Sequence, residues 1–174
     1  MEYCTVTIPN REVRTVYASE ILEKLQHSGK SIDSTAFLEN LLAGKAEEFS
    51  QELSRYLENI ASYYDTANHE GFYHGFMLGI LAVLVSRYHV RSNRESGYGR
   101  FDLAIFPKNK GQVAGVLMEF KVAKTEAELQ NEAEAALQQI EEMDYLAEFR
   151  EQGVENVWKY GIAFCRKKLK LVRG

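Results

Sequence analysis

Apolar residues recur along this chain at helical spacing up to about residue 66, and at a mixture of helical and alternating spacings after it. Residues 5–10 read as a short extended piece ending in Pro9. From residue 11 to 27, Val13, Val16, Tyr17, Ile21, Leu22 and Leu25 mark a first helix, which Gly29 ends. Two more helices are predicted, over residues 34–43 and 46–64, the second with Leu53, Tyr56, Leu57 and Ile60 on one face. Residues 1–66 therefore read as a helical N-terminal extension and residues 67–174 as the main domain.

In the main domain, Asn68 is placed to cap a helix running to about Tyr88. Its body is apolar nearly all round, which predicts burial on several sides. Gly71, Gly75 and Gly79 line one face, where close packing against a sheet or helix is the expected reason for their cost in helix propensity. Three strands follow, over residues 89–94, 100–106 and 113–122, joined by turns short enough for an antiparallel meander. Thr125 and Glu128 form a capping box that opens a helix to about Phe149, with Leu129, Ala133, Ala136, Leu137, Ile140 and Met143 as its apolar stripe. Strands over 157–164 and 169–172 complete the order α-β-β-β-α-β-β, an α/β fold with a mixed sheet flanked by helices.

Composition narrows the class. With 45% hydrophobic and 26% charged residues, the 174-residue chain can bury an ordinary core and lacks the polar bias of a disordered protein. Cys4 and Cys165 stand far apart without a CxxC pair, and no secretory signal pattern opens the chain, so a cytoplasmic protein with reduced thiols is expected. The longest apolar run, residues 72–85, is 14 residues. Spanning a bilayer takes roughly 20, so no membrane association is expected. The net charge of -4 hides an uneven distribution, acidic over 126–151 and basic at Arg87, Arg91, Arg94, Arg100 and again at Arg166, Lys167, Lys168, Lys170 and Arg173. A one-sided positive surface of this kind suits a phosphate backbone; solvated faces are the plain alternative.

The candidate chemistry lies on the second and third strands. With a period of two, Glu119 and Lys121 share one face of an otherwise apolar strand, with Met118, Phe120 and Val122 on the other. On the strand before it, Asp102 points one way with Arg100 and Ala104, and Phe101, Leu103 and Ile105 the other. A hairpin brings Asp102 beside Glu119, where two carboxylates repel unless a cation or proton lies between them. Mg²⁺ suits such a pair, taking one or two carboxylates with waters and phosphate oxygens. A cation held there lowers the pKa of a water and neutralises phosphate charge, while an adjacent lysine orients the nucleophile. A cross-strand ion pair of Lys121 with either acid is the structural alternative.

Asp102 followed, after sixteen intervening residues, by Glu119-Phe120-Lys121 resembles the D…ExK signature of PD-(D/E)XK nucleases. The resemblance covers roughly residues 68–172. It is closest to the nuclease domains at the C-terminus of bacterial AAA-type ATPase-like proteins, through Glu70-Gly71-Phe72-Tyr73-His74-Gly75, Glu95-Ser96-Gly97-Tyr98-Gly99-Arg100 and Ala136-Leu137-Gln138-Gln139-Ile140. It implies a restriction-endonuclease-like core and a Mg²⁺- or Mn²⁺-dependent phosphodiesterase acting on nucleic acid, with DNA the expected substrate. In that pattern Asp102 and Glu119 match the metal ligands, and Glu70 the acid that the first helix adds to them. Lys121 matches the catalytic lysine, and Gln138 a polar residue reaching in from the second helix. Glu70 also suits a helix first turn through the macrodipole alone. An ATPase domain, absent here, is the implied partner, and the chain reads as a C-terminal fragment or shortened homologue.

Two other motifs are set aside. In His69-Glu70-Gly71-Phe72-Tyr73-His74 the histidines stand five apart, off a common helical face, so no zinc-protease site is expected. Gly29-Lys30-Ser31 lacks the first glycine of a phosphate loop, Lys24 standing in its place. Cys165 reads as a small core residue. The alternative to an enzyme is a nucleic-acid-binding or regulatory module of the same fold with little turnover.

Overall fold

A computed structural model describes residues 34–60, 70–109 and 114–174. The extended piece and first helix expected over 5–27 lie outside these residues, as does Asn68. Helices α1 (Ser34–Leu42) and α2 (Ala46–Ile60) turn their apolar stripes, Phe37 and Leu41, then Phe49, Leu53, Tyr56 and Leu57, into the main core. Helix C-termini leave carbonyls without intrahelical partners. Here Leu41 O accepts from the Tyr160 hydroxyl at 3.1 Å and Leu42 O from Trp158 Nε1 at 3.0 Å, which fixes α1 to the sheet.

Helix α3 (Glu70–Leu81) buries Tyr73, Met77, Ile80 and Leu81 and tightens into a 3₁₀ turn, Ala82–Ser86. The expectation of burial on several sides needs correcting. Leu78 is 37% exposed, and among the described residues nothing lies within 4 Å of a Cβ built on Gly71 or Gly75. These two glycines lie on the helix's open face rather than against a close neighbour.

Five strands follow in sheet order β1 (Tyr88–Ser96), β2 (Gly99–Pro107), β3 (Gly115–Val122), β4 (Val157–Cys165) and β5 (Lys168–Arg173). Neighbours are antiparallel except β3 and β4, which run parallel. A parallel pair needs a long crossover. It is supplied by a 3₁₀ turn (Glu126–Glu128), α4 (Leu129–Glu142) and α5 (Ala147–Glu151), and the expected capping box of Thr125 and Glu128 opens it. The sheet is mixed and flanked by helices, as its sequence pattern predicts.

The single helix expected to Phe149 is in fact two, parted at residues 143–146, where Asp144 has φ 49°. Five residues on a continuous helix rotate a side chain by about 500°, which would leave Tyr145 some 140° away from Ile140. The break turns both inward. Tyr145 packs edge-on to Phe101 at 6.3 Å and Phe149 stacks on Phe106 at 4.1 Å. Leu103, Ile105, Val116, Met118 and Phe120 thus face α1–α3, while Ala104, Phe106 and Leu117 face α4 and α5. Cys165 is a buried free thiol in a small third cluster with Ala133 and Ala163, the packing role expected of it. Among the described residues no helix is long and apolar enough to cross a membrane.

Candidate active site

The β2–β3 ladder pairs Leu103 with Met118, Ala104 with Leu117 and Ile105 with Val116, and beyond it the strands part. Backbone N–H groups at such a fork need other acceptors. Two carboxylates provide them. Asp102 Oδ2 accepts from Phe120 N at 2.7 Å, and Glu119 Oε2 accepts from Asp102 N at 3.4 Å, so the acids cross-link the fork in place of ladder bonds.

Alternation along β2 is interrupted at this point. Phe101, expected beside Leu103 and Ile105, packs instead with Ala104 and Phe106. Across from Asp102, Asn93 has φ 50° and the β1 register skips the pair, so Asp102 sits at a local break in the pleat and reaches across to β3. On β3 the pattern is regular, and Glu119 and Lys121 share the α4 side as expected.

The residue that joins them is Gln139. Its Nε2 donates to Glu119 Oε1 and, at 3.2 Å, to the Tyr145 hydroxyl, while its Oε1 accepts from Lys121 Nζ at 2.9 Å. Gln138, expected to reach the site, is exposed and donates to Glu142. The reason is helical rotation: Gln139 stands three residues after buried Ala136, on the inward face, whereas Gln138 stands two after it. The buried stripe itself carried that signal. Residue type and spacing give Tyr145 no role here and His74 none beyond the motifs it belongs to, since the contacts of both depend on turns and on approach across the sheet. His74 Nε2 lies 3.1 Å from Asp102 O and 3.2 Å from Ser92 Oγ, bracing β2 from the α3 side.

Among the described residues Lys121 makes no ion pair with either acid; the Gln139 amide stands between charge and charge. Glu119 is 5% exposed. Burial first, and then the charge of Asp102, push its carboxyl up to about 8. Asp102 is also raised, chiefly by burial, with the Phe120 hydrogen bond and His74 acting against the rise. Glu70, exposed in the first turn of α3, raises both. Among the described residues no three His, Cys, Asp or Glu side chains are grouped to hold a metal ion. Glu70 therefore does not close a three-carboxylate cage with Asp102 and Glu119. Two carboxylates, both raised above the ordinary carboxyl range, fit a hard cation completed by water and phosphate oxygens.

A mixed sheet flanked by helices is a restriction-endonuclease-like fold, and at its forked strand pair two carboxylates lie with a lysine held beside them by Gln139 of the crossover helix. The family model of the PD-(D/E)XK nuclease superfamily matches residues 68–174, more than half of the chain, and the chain belongs to that superfamily. No curated protein and no solved structure gave a match. Membership carries a nuclease-type function on nucleic acid, and these nucleases generally use divalent metal ions.

The raised carboxyls set a pH dependence for the metal-free protein. Glu119 rises from 4.5 to about 8 on folding, so across that window the native state holds a proton that the unfolded chain has released. Stability then falls as pH rises, and the loss is complete above about 8. Thermal melts in a chelator should show a midpoint dropping by several degrees from pH 5 to 8.5, and a saturating divalent cation should flatten the slope by binding the ionised pair. A midpoint that climbed across this range would mean the acids are stabilised as anions without metal.

Proposed function

We propose that this chain hydrolyses phosphodiester bonds, in DNA, with Mg²⁺ or Mn²⁺ held by Asp102 and Glu119. The observation that carries this reading is the pair of carboxylates crossing the β2–β3 fork with Lys121 fixed beside them through Gln139. When bound, the cation supplies charge neutralisation at the scissile phosphate and makes an attacking water more acidic. Lys121, its ammonium anchored 2.9 Å from Gln139 Oε1, orients that water and steadies negative charge on the phosphoryl oxygens. Hydrolysis places the water oxygen on phosphorus, breaks the bond to the departing sugar oxygen and returns a proton to it. Gln139 acts through its partners, holding Glu119 and Lys121 in register. In this reading Glu70 would add a third oxygen through a rotamer change or a bridging water. Residues 67–174 are the catalytic domain in this reading, with α1 and α2 an extension packed on its sheet.

The test is incubation of purified protein with supercoiled DNA, linear DNA and RNA in Mg²⁺, Mn²⁺ or EDTA. Cleavage of DNA only with metal supports the reading; binding without cleavage in any metal makes the chain a nucleic-acid-binding module instead. Gln139→Ala should cut turnover roughly 10- to 100-fold, the usual effect of removing a partner that orients a ligand. Gln138→Ala should leave turnover unchanged. Equal effects at both positions would remove Gln139 from the mechanism.

A further inference from the structure

The hairpin between β1 and β2 ends in a two-residue turn, Gly97-Tyr98, closed by the Ser96–Gly99 pair. Gly97 has φ 59° and Tyr98 is not among the residues of positive φ, the pattern of a type II′ turn, which demands glycine at the first position but no aromatic at the second. Yet Tyr98 is 85% exposed. The other tyrosines among the described residues, 56, 73, 88, 145 and 160, are all buried. The ring contributes nothing visible to the core, and no described hairpin bond uses its side chain.

The turn that carries it is nevertheless firmly held. Tyr98 N donates to Met143 O at 2.9 Å, and Ser96 Oγ donates to Tyr145 O at 3.1 Å. A Cβ on Gly97 would lie 2.3 Å from Met143 O and 2.5 Å from Asp144 O, so the tip sits flush on the α4–α5 turn, the same turn that sends Tyr145 in to Gln139. The fork also opens in this direction, because the part of β2 before Leu103, Gly99 to Asp102, has no ladder partners on β3. Tyr98 stands four residues from Asp102, about 13 Å along a strand at ~3.3 Å per residue. A stacked strand rising ~3.4 Å per nucleotide covers that distance in roughly four nucleotides. Exposed Arg100 lies between the two positions and supplies positive charge along the path.

We propose that Tyr98 is a stacking platform for an unpaired base of the substrate strand, a few nucleotides from the scissile phosphate, so that the site takes single-stranded or frayed nucleic acid. The inference rests on the nucleic-acid reading of the Asp102–Glu119 site. A base can lie on an aromatic ring only with its face free, which selects an unpaired base over one inside a duplex. A ring on a rigid tip loses little freedom on binding, so the contact is made at low entropic cost.

The experiment measures binding of the full chain in EDTA to a 12-nucleotide single-stranded oligothymidine and to a blunt duplex. Tyr98→Ala should weaken single-strand binding roughly 10- to 100-fold, the range for loss of one base–aromatic stack, and duplex binding less than about 2-fold. Tyr98→Phe should bind like the wild type, since the ring and not the hydroxyl stacks. Tyr98→Trp should show emission quenched by the oligonucleotide beyond the change in the parent chain, which carries Trp158. The melting temperature of all three should be that of the parent, because the side chain is exposed. Equal affinity of Tyr98→Ala and wild type for the single strand, an equal loss on the duplex, or a loss in Tyr98→Phe matching that in Tyr98→Ala would each overturn the proposal. Because the readout is binding without metal, the two readings fail separately. Single-strand binding through Tyr98 with no cleavage in Mg²⁺ or Mn²⁺ keeps the platform and removes the hydrolase, while metal-dependent cleavage with an indifferent Tyr98→Ala does the reverse.

Discussion

Asp102→Asn is expected to reduce cleavage by about 10³-fold or more, because it removes one of two oxygen donors and the charge that attracts the cation. The fold should survive, and in a chelator above pH 8 it should gain about 1 kcal/mol. Above that pH the Glu119 and Asp102 carboxyls are both driven toward ionisation in a buried fork, where they repel. The asparagine carbonyl can still accept from Phe120 N, so the hydrogen bond that cross-links the fork is kept while the charge is lost. Lys121→Ala should move stability the other way. Its ammonium favours both anions, so its removal should lower the metal-free melting temperature while cutting turnover about 10²- to 10³-fold. Melting curves in EDTA at pH 8.5, read beside single-turnover cleavage, check both variants. A destabilised Asp102→Asn that still cleaved would show that Asp102 serves the fold and not the chemistry.

Gly161→Val is expected to have the largest effect on stability, a loss on the order of 3 kcal/mol or more, with activity falling too. Gly161 lies opposite Glu119 in the parallel β3–β4 register. A Cβ there would come within 2.2 Å of Ala133 O and 2.5 Å of Leu137 N, both backbone atoms of α4 that no rotamer change can move aside. The missing side chain lets α4 press on the sheet and sets Gln139 over Glu119 and Lys121. A β-branched residue must lift the helix, open the core around Ala133 and Ala163, and draw Gln139 off its partners. For a chain of this length the fall in Tm should be about 10 °C, at roughly 2–4 °C per kcal/mol. Gly75→Ala serves as the contrast. With nothing described within 4 Å of its Cβ, it should stabilise by about 0.8–1 kcal/mol through helix propensity alone. Thermal denaturation of the two variants at one pH decides the matter, and a Gly161→Val protein melting with the parent would mean α4 does not rest on that strand.

Much of this protein was legible from its residues because the features concerned are local. The order of elements came from a change in apolar period, the start of the crossover helix from Thr125 and Glu128, and the shared face of Glu119 and Lys121 from the two-residue repeat of a strand. The D…ExK spacing likewise pointed to the superfamily that the family model finds. What remained hidden depends on approach between distant segments. Gln139 rather than Gln138 was legible from the apolar stripe through Ala136, but which partners it meets was settled only when α4 seats on Gly161. The break at residues 143–146 arises because Tyr145 and Phe149 both find partners on β2, a gain that outweighs continuing the helix. The open face of Gly71 and Gly75 could not be read from a spacing that close packing also produces. The pleat fails at Asp102 because strands that must diverge to seat two carboxylates cannot keep their ladder. Residue types and spacing set which chemistry the chain carries. The tertiary structure decided which side chains face one another, since burial and repulsion depend on distances that no local pattern encodes.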